Sequence, residues 1–322
     1  MNTQEFRDIV YGFQTSRILL TSLEMEIFTA LGEELKTSEE VSRILNSDAR
    51  ATDRLMNALC ALDFLKKQNG KFSNTSFSSK YLVKGKPDYI SNLMHSVNLW
   101  DSWSDLTSTI RAGKGVPRVN SGSKIWLENF IEAMNYRAVK QVPGDISMLD
   151  LTEVRTVLDV GGGSGAYSMG FVKAKKDISA VVFDLPDVIP LTQKYIAEAG
   201  LEGKIKTIKG NYLYDDLGPG YDLIFLSAIV HSNSFEENKN LIQKCTKALN
   251  KNGQIVIQDY AMNEERTSPA SGAFFALNML VNTQAGDTFT ENEIYSWLEN
   301  AGLKNITRKD ISHGAAQIVG RK

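Results

Sequence analysis

Four closely spaced glycines near the middle of the chain, Gly161, Gly162, Gly163 and Gly165, follow a short apolar run at residues 156–160. This order predicts a buried strand that turns through a glycine loop into a helix from about residue 166. Glycine permits a tight turn and a close approach of the backbone to a ligand, and the first turn of a helix presents free N–H groups. The segment is therefore predicted to bind a ligand through its backbone.

The loop also fits the G-x-G-x-x-A pattern of dinucleotide-binding proteins, through Gly161, Gly163 and Ala166. Asp184 lies about where those proteins place the acid that binds the ribose hydroxyls, although an aspartate here could also end a strand or begin a turn. Two features argue against an NAD-dependent dehydrogenase. The loop begins near the middle of the chain, after a large helical region, and Asp159 lies just before the glycines.

The elements that would hold this loop are short apolar strands that alternate with longer helical stretches. The predicted strands are 156–160, 180–183, 205–208, 222–226 and 254–258. This order predicts an α/β fold, a Rossmann-like doubly wound sheet, whose ligands bind at the carboxyl ends of the strands. His231, one of three histidines, comes shortly after the fourth of these strands. It is therefore a candidate for chemistry at that edge.

The first third of the chain has a different pattern. Apolar residues at helical spacing predict amphipathic helices over residues 4–32. Thr37 and Glu40 have the spacing of a capping box that opens a helix, and a second helix is predicted over 49–62. Two strand-like runs then flank the Asn-Gly dipeptide at 69–70, which favours a hairpin turn. Helices followed by a hairpin indicate a winged helix.

Winged helices often bind DNA, so a regulatory protein is an alternative, with the helix at 49–62 as the recognition element. The charges argue against it, because Arg50 and Arg54 are interleaved with Asp48 and Asp53. The whole chain carries 36 basic and 38 acidic residues, a net charge of -2, which does not favour many phosphate contacts. We therefore predict no nucleic-acid partner.

Length and composition favour an ordinary globular protein. A chain of 322 residues with 42% hydrophobic and 23% charged residues predicts about two domains with a proper core. Cys60 and Cys245 lie within apolar helical patterns, which predicts buried thiols rather than a disulfide or metal site. We find no signal-peptide pattern and no apolar run of about 18 residues that could span a bilayer. We therefore expect a cytoplasmic protein with no membrane partner.

Three short motifs together carry a family resemblance. The ordered set LDVGGGSG at 158–165, FDLP at 183–186 and KGNY at 209–212 is similar to the small-molecule O-methyltransferase family that includes the plant caffeate-type and acetylserotonin-type enzymes. The resemblance covers essentially the whole chain, including the winged-helix region. It implies S-adenosylmethionine as the cofactor, no metal, a hydroxyl on a small aromatic acceptor, and a homodimer formed through the N-terminal helices.

The resemblance also implies where the cofactor binds. Gly161 and Gly163 would lie against its amino-acid part, Asp184 would accept hydrogen bonds from the ribose hydroxyls, and Leu185 would pack beside the adenine. We also assign Asp159 and Ser227 to this site.

Two further cofactor positions depart from the family pattern. Asn211 stands where the family usually has an aspartate near the adenine, and Tyr212 stands where it has an apolar residue. Asparagine keeps an acceptor oxygen but loses the charge. The role of position 211 is therefore open.

The resemblance implies that His231 is a general base. In the family, a His-Asp-Trp triplet follows the fourth strand, and its histidine removes a phenolic proton; here the triplet is His231, Ser232 and Asn233. A neutral hydroxyl is a poor nucleophile until a base takes its proton, and histidine can be that base near neutral pH. The histidine is kept, and the two residues after it are not.

Two carboxylates are candidates to assist this base. Asp259 follows the strand at 254–258 and matches a family glutamate that flanks the histidine. Aspartate is one methylene shorter than glutamate. Asp259 could therefore contact His231 directly, contact it through a water molecule, or not contact it. A second family glutamate aligns with Thr288, or with Asp287 after a shift of one residue. We include Asp287 as a candidate.

The resemblance further implies a substrate pocket and a division into domains. Met134 and Met279 match positions that hold an aromatic substrate, although methionines at such spacings are more often ordinary core residues. We predict a helical and winged-helix dimerisation domain at 1–85, a helical connector lining the substrate pocket at 86–150, and a Rossmann-like cofactor-binding catalytic domain at 151–322. The altered triplet leaves C-, N- or S-methylation by proximity alone as an alternative, and a non-catalytic ligand-binding protein as another.

Overall fold

The computed structural model describes residues 1–115 and 124–322 of the chain. Within this part, the chain forms two compact units, residues 1–101 and 102–322. The boundary lies inside the predicted connector at 86–150, so this segment contributes to both units. No helix in the described ranges is long and apolar enough to cross a membrane.

The first unit is helical, with one small antiparallel sheet. Its elements are α1 (Thr3–Glu24), α2 (Ile27–Leu31), α3 (Ser38–Leu45), α4 (Ala49–Ala61), β1 (Leu65–Gln68), β2 (Lys71–Asn74), α5 (Ser76–Tyr81) and α6 (Leu93–Ser104), which continues into the second unit. Thr37 and Glu40 form the predicted capping box of α3 through reciprocal hydrogen bonds. Asn69 and Gly70 have φ values of 49° and 76°, the left-handed backbone that a tight hairpin turn requires. The predicted winged-helix order is confirmed.

The N-terminal half of α1 is not part of the core of this unit. That core is built around buried side chains such as Phe28. In contrast, Phe6, Ile9, Tyr11 and Phe13 are each more than half exposed. Three of these side chains, Phe6, Ile9 and Phe13, are spaced by three and four residues and therefore share one face of α1.

The second unit is a mixed sheet with helices on both faces. Its elements are α7 (Leu106–Ala112), α8 (Lys124–Ser147), β3 (Thr156–Val160), α9 (Ala166–Ala174), β4 (Ser179–Asp184), α10 (Ile189–Glu198), β5 (Ile205–Lys209), β6 (Tyr221–Ser227), α11 (Phe235–Ala248), β7 (Leu249–Met262), α12 (Ala270–Asn282), β8 (Phe289–Thr290), α13 (Glu291–Asn300), β9 (Lys304–Asp310) and β10 (Ala315–Arg321). Two short 3-10 helices, Val230–Ser232 and Ser312–Gly314, complete the unit.

The strand order of the sheet is β5-β4-β3-β6-β7-β10-β9, with β8 beside β7. Strands β3 to β7 are parallel, whereas β10 is antiparallel to both of its neighbours. The five predicted strands and the predicted doubly wound sheet are confirmed, and β8, β9 and β10 go beyond the prediction. The strand order reverses between β3 and β6. In open α/β sheets this reversal is where ligands bind.

Each face of the sheet has its own apolar core. Because neighbouring residues of a strand point to opposite faces, Leu158 and Val160 join one core with α11 and α13, while Val157 joins the other with α8, α9 and α10. Trp297 and Phe171 are among the largest fully buried side chains of the two cores. The parallel strands are therefore covered on both faces, as parallel sheets require.

Helix α9, which follows the glycine loop, packs closely against α8. Gly170 lies at this contact, where an added Cβ would collide with Val142 and would lie 2.6 Å from Ile146 Cδ1. A larger residue at position 170 would push the two helices apart. The spacing of α8 and α9 therefore depends on this glycine.

We expect Gly170→Ala to lower the free energy of unfolding by up to about 2 kcal/mol. Overpacking costs about 1–3 kcal/mol, which exceeds the gain of about 1 kcal/mol that alanine has over glycine inside a helix. Gly144→Ala on α8 is the matched control, because no atom lies within 4 Å of the added Cβ. It should raise the stability by up to about 1 kcal/mol. Denaturant unfolding measures both variants, and a shift of both in the same direction would contradict this account.

Candidate active site

The carboxyl ends of β3, β4, β6 and β7 bring most of the predicted site residues to one edge of the sheet. The glycine loop lies close to the segment that follows β6. A Cβ on Gly161 would collide with the Ile229 side chain and would lie 3.7 Å from the Tyr212 ring. Since Ile229 is two residues before His231, the loop and the histidine segment are neighbours.

The glycine loop folds over the carboxylate of Asp159. This side chain is 2% exposed, and its Oδ2 accepts hydrogen bonds from the Ser168 hydroxyl at 2.8 Å and the Ser168 N–H at 3.2 Å. A Cβ on Gly162 would lie 2.7 Å from the Asp159 carboxyl carbon, so only glycine fits above it. Burial raises the pKa of Asp159 to about 6, while the Ser168 hydrogen bonds oppose the shift. Asp159 therefore supports the loop from beneath.

Asp184 holds the loop from the neighbouring strand. Its Oδ2 accepts from the Gly163 N–H at 2.8 Å, and its Oδ1 accepts from the Leu185 N–H at 2.7 Å. Gly163 has a φ of 57°, in the region that favours glycine. Burial raises the pKa of the Asp184 carboxyl, and the two backbone donors oppose that shift. The next side chain, Leu185, is apolar yet 45% exposed.

Tyr212 belongs to a buried chain of amide hydrogen bonds, whereas Asn211 forms a local turn. The Asn211 side-chain oxygen accepts from the Leu213 N–H at 2.9 Å. The Tyr212 hydroxyl lies 3.2 Å from Asn233 Oδ1, to which it donates, and Asn233 donates in turn to Asn238 Oδ1 at 2.9 Å. Burial raises the pKa of Tyr212 to about 12, so it remains a donor at neutral pH.

Asn238 then connects this chain to the histidine segment. Its amide donates to the Val230 carbonyl at 2.8 Å, next to His231. The chain therefore braces the 3-10 turn that carries the histidine.

Ser227, at the end of β6, touches a second buried polar group. The Gln258 amide nitrogen lies 3.2 Å from the Ser227 hydroxyl, 2.5 Å from the Tyr167 hydroxyl and 3.1 Å from Asp145 Oδ2. The Tyr167 hydroxyl donates to Asp145 at 2.7 Å, and the Gln317 amide donates to Gln258 Oε1 at 2.9 Å. This network joins β6, β7 and β10 to α8 and α9 beneath the site.

His231 and Asp259 form a direct pair. His231 Nδ1 lies 2.9 Å from both carboxylate oxygens of Asp259, and the His231 N–H donates to Oδ2 at 3.3 Å. The side chains are only 12% and 3% exposed. Within residues 1–115 and 124–322, no hydrogen-bond partner faces the imidazole Nε2. Of the three arrangements open at the sequence level, the structure contains the direct contact.

The backbone between β6 and the histidine makes an unusual turn. Ala228 has a φ of 57°, which is uncommon for a residue with a side chain, and its N–H donates to the Gln258 carbonyl at 2.9 Å. This conformation turns the chain out of the sheet and towards Asp259. Backbone strain of this kind is concentrated at functional sites.

Asp287 contacts His231 through its backbone and not through its carboxylate. Its N–H donates to the His231 carbonyl at 3.0 Å, while its half-exposed carboxylate lies 3.4 Å from Arg266. A Cβ on the preceding residue, Gly286, would lie 2.5 Å from the same carbonyl. The loop that contains Gly286 and Asp287 therefore packs directly on the histidine backbone.

The two predicted substrate methionines lie on separate helices. Met134 is half-buried on α8, and Met279 is 6% exposed on α12. Sequence reasoning missed Phe275, whose ring packs edge-on against His231 with centroids 4.8 Å apart. Phe275 lies four residues before Met279 and therefore on the same side of α12. That spacing is the signal that could have identified it.

Metal ligands are not grouped in the described parts of the chain: no cluster of three His, Cys, Asp or Glu side chains there could hold an ion.

Known proteins resemble this chain over its whole length. A 3-hydroxy-5-methyl-1-naphthoate 3-O-methyltransferase from Streptomyces sahachiroi is 28% identical, covering 97% of this chain and 93% of that protein. The S-adenosyl-L-methionine-dependent methyl transferase PigF from Serratia is 24% identical over 100% of this chain and 97% of its own length.

Solved structures share the fold. A structure of PigF with SAH aligns with a TM-score of 0.90, at 22% identity and full coverage of both chains. An O-methyltransferase family protein from Burkholderia thailandensis also has a TM-score of 0.90, at 24% identity, covering 100% of this chain and 98% of that one.

Family models match both parts of the chain. The O-methyltransferase dimerisation domain matches residues 8–84. The O-methyltransferase domain matches residues 119–304, more than half of the chain. The chain therefore belongs to the O-methyltransferase family and carries the dimerisation domain of that family at its N-terminus.

Proposed function

We propose that the protein transfers a methyl group from S-adenosylmethionine to a hydroxyl of a small aromatic acceptor, with His231 as the general base. The observation that carries this proposal is the direct contact between His231 and the buried Asp259, on a segment that adjoins the glycine loop. Histidine and carboxylate pairs of this kind serve to remove a proton from a weakly acidic nucleophile.

The residues around the loop fit S-adenosylmethionine. Asp159 and Asp184 are buried carboxylates, and in the described parts of the chain neither forms an ion pair with a lysine or arginine. A ligand that carries a sulfonium and an ammonium group would supply the missing positive charge. The absence of a Cβ at Gly161 makes room for the Ile229 side chain, and Gly161 and Gly163 place no side chain of their own over the loop backbone. The exposed Leu185 offers an apolar surface for a purine.

We assign the cofactor contacts accordingly. Asp184 is proposed to accept the ribose hydroxyls with the lone pairs that its two backbone donors leave free. Gly161 and Gly163 are proposed to face the amino-acid part of the cofactor, and Ser227 and Tyr212 to border it. The Asn211 side chain is engaged in its own turn, and Asn211 is proposed to lie beside the purine of the cofactor.

The bound cofactor supplies an electrophilic methyl group. The part of the chain in this reaction is to make the acceptor hydroxyl nucleophilic. With Nδ1 bound to Asp259, His231 is proposed to keep its proton on Nδ1 and to use Nε2 to remove the proton from the acceptor. Asp259 then stabilises the imidazolium that forms. Asp287 is proposed to assist through its backbone N–H, which fixes the position of the histidine segment.

The chemistry of the relatives favours a hydroxylated aromatic acceptor. The Streptomyces relative acts on the 3-hydroxyl of a naphthoate. Phe275 beside His231, together with Met134 and Met279, is proposed to form the apolar walls against which such a ring packs.

We also propose that the protein is a homodimer through α1. The chain carries the dimerisation domain of the family, and the exposed apolar side chains of α1 require a cover. Two-fold pairing of identical apolar surfaces is the commonest way to provide it.

Asp184→Asn should weaken binding of S-adenosylhomocysteine by roughly 10- to 100-fold, because hydrogen bonds to a charged acceptor contribute about 1.5–3 kcal/mol. Isothermal titration calorimetry measures the affinity, and circular dichroism checks the fold. Asp187→Asn, an exposed acid three residues further on, is the matched control and should bind normally. Unchanged affinity of Asp184→Asn would remove the ribose assignment.

His231→Gln should lower kcat on a hydroxyl acceptor by about 10²- to 10⁴-fold, the usual contribution of a general base, while the affinity for S-adenosylhomocysteine stays nearly constant. Asp259→Asn should cost less, because it orients the base and takes no proton. Formation of S-adenosylhomocysteine, measured across a panel of hydroxylated aromatic compounds, reports the rate. Near-normal turnover of His231→Gln would show that the acceptor needs no base.

Replacing two exposed apolar residues of α1, in the double variant Ile9→Glu and Phe13→Glu, should convert a micromolar dimer into monomers. Two carboxylates would be buried in the proposed interface without partners. Sedimentation equilibrium measures the association. Tyr214→Glu, at a side chain that is 81% exposed in the second unit, is the control and should stay dimeric. A wild-type chain that is monomeric at micromolar concentration would contradict the proposal.

A further inference from the structure

The C-terminal unit also contains a cavity of about 570 Å³ that opens to solvent and that carries the exposed side chains of Arg137 and Lys140 at its rim. Its lining residues come from α8, β7 and α12: Tyr136, Arg137, Lys140, Gln141, Tyr260 and Ser271. This volume lies in the range of small-molecule sites. The cavity is large enough to hold part of an aromatic acceptor.

The charge of this cavity is positive. Arg137 and Lys140 line it, and no aspartate or glutamate does. Lys140 Nζ donates to the Tyr136 hydroxyl at 2.7 Å, which holds the ammonium group at the cavity wall. Across residues 1–115 and 124–322, neither Arg137 nor Lys140 forms an ion pair with a carboxylate of the chain. The cavity therefore offers two cations to an anion from outside.

Ring contacts connect this cavity to the proposed base. Tyr260, which lines the cavity, directly follows Asp259 in β7. The Tyr260 ring packs against Phe275 with centroids 5.0 Å apart, and Phe275 packs against His231 at 4.8 Å. Two ring contacts therefore link the imidazole to the cavity through Phe275. An acceptor that presents its hydroxyl to His231 would extend past these rings towards the cavity.

The residue spacing on α8 also supports an acceptor that extends from the site at His231 towards the cavity. Met134, Arg137 and Gln141 are spaced by three and four residues, so they share one face of the helix. Met134 is the proposed apolar contact of the acceptor ring. Arg137 follows Met134 by about one turn of the same helix, so an acceptor ring that packs against Met134 would extend a substituent towards it.

We infer that the acceptor is an aromatic acid whose carboxylate is bound by Arg137 and Lys140 in this cavity, while its hydroxyl faces His231. The inference rests on the proposed function and defines its substrate class. Arginine suits this role because its planar fork can donate two parallel hydrogen bonds to a carboxylate. The tyrosine hydroxyls and the Gln141 amide supply further donors to the same group.

The test compares two ligands that differ in charge and hardly in shape, 1-naphthoate and 1-naphthamide, by calorimetry on the protein loaded with S-adenosylhomocysteine. Neither ligand has a hydroxyl, so the measurement does not depend on catalysis. The wild type should bind the anion about five- to tenfold more tightly, the range expected for charge-assisted hydrogen bonds that remain partly solvated. Raising the salt concentration should narrow the gap.

The variants assign that preference to specific residues. Arg137→Gln and Lys140→Gln should each reduce it to about twofold or less while leaving 1-naphthamide affinity unchanged, and Arg137→Lys should retain part of it. Lys124→Gln, a highly exposed lysine on the same helix, is the control and should match the wild type. Equal binding of the two ligands, no binding of 1-naphthoate up to millimolar concentration, or an undiminished preference in Arg137→Gln would overturn the inference.

The methyl transfer itself is tested separately, by formation of S-adenosylhomocysteine from hydroxylated acids and their amides. If both classes are methylated equally well, the proposed function stands and the carboxylate site fails. If neither is methylated although 1-naphthoate binds through Arg137, the carboxylate site stands as a ligand site and the proposed reaction fails.

Discussion

Strands β6 and β7 run parallel with Ser227 opposite Gln258, and this register determines which side chains meet at the edge of the sheet. One residue beyond Gln258, Asp259 points to the opposite face of β7, because side chains alternate along a strand. The turn at Ala228 carries the chain to that same face, so His231 meets Asp259 there. A slip of one residue would exchange Asp259 for Gln258 and separate His231 from its carboxylate partner.

Sequence patterns predict the parts of the fold that are locally encoded. The buried parallel strands are short apolar runs with clear ends, and the hairpin has its Asn-Gly turn. Strand β9 (Lys304–Asp310) is missed, because its side chains are almost all exposed at the sheet edge and show no apolar pattern. The His231 and Asp259 pair could be predicted from two strand ends. The Arg266 partner of Asp287 could not, because neither residue carries a local signal of where its loop folds.

Two of the departures from the family pattern contact each other. Tyr212 stands where the resemblance implies an apolar residue, and Asn233 stands where it implies tryptophan; the Tyr212 hydroxyl donates to the Asn233 amide. A phenol buried at position 212 needs an acceptor, and the small amide at 233 provides one together with space for the ring. The two substitutions therefore compensate for each other. The pair forms a polar contact that braces the histidine turn through Asn238.

This coupling bears on whether the altered triplet still belongs to a site that removes a proton. Asn233 and its partners contact the backbone beside His231, whereas the imidazole contacts Asp259 and Phe275. The substitutions therefore leave the contacts of the imidazole itself unchanged. Burying a carboxylate and an imidazole has a desolvation cost, and an acceptor with a free lone pair, such as an amine or thiolate, would need only proximity to the methyl group. A buried pair of this kind is useful to an acceptor whose proton must leave before it attacks, which is the property of a hydroxyl.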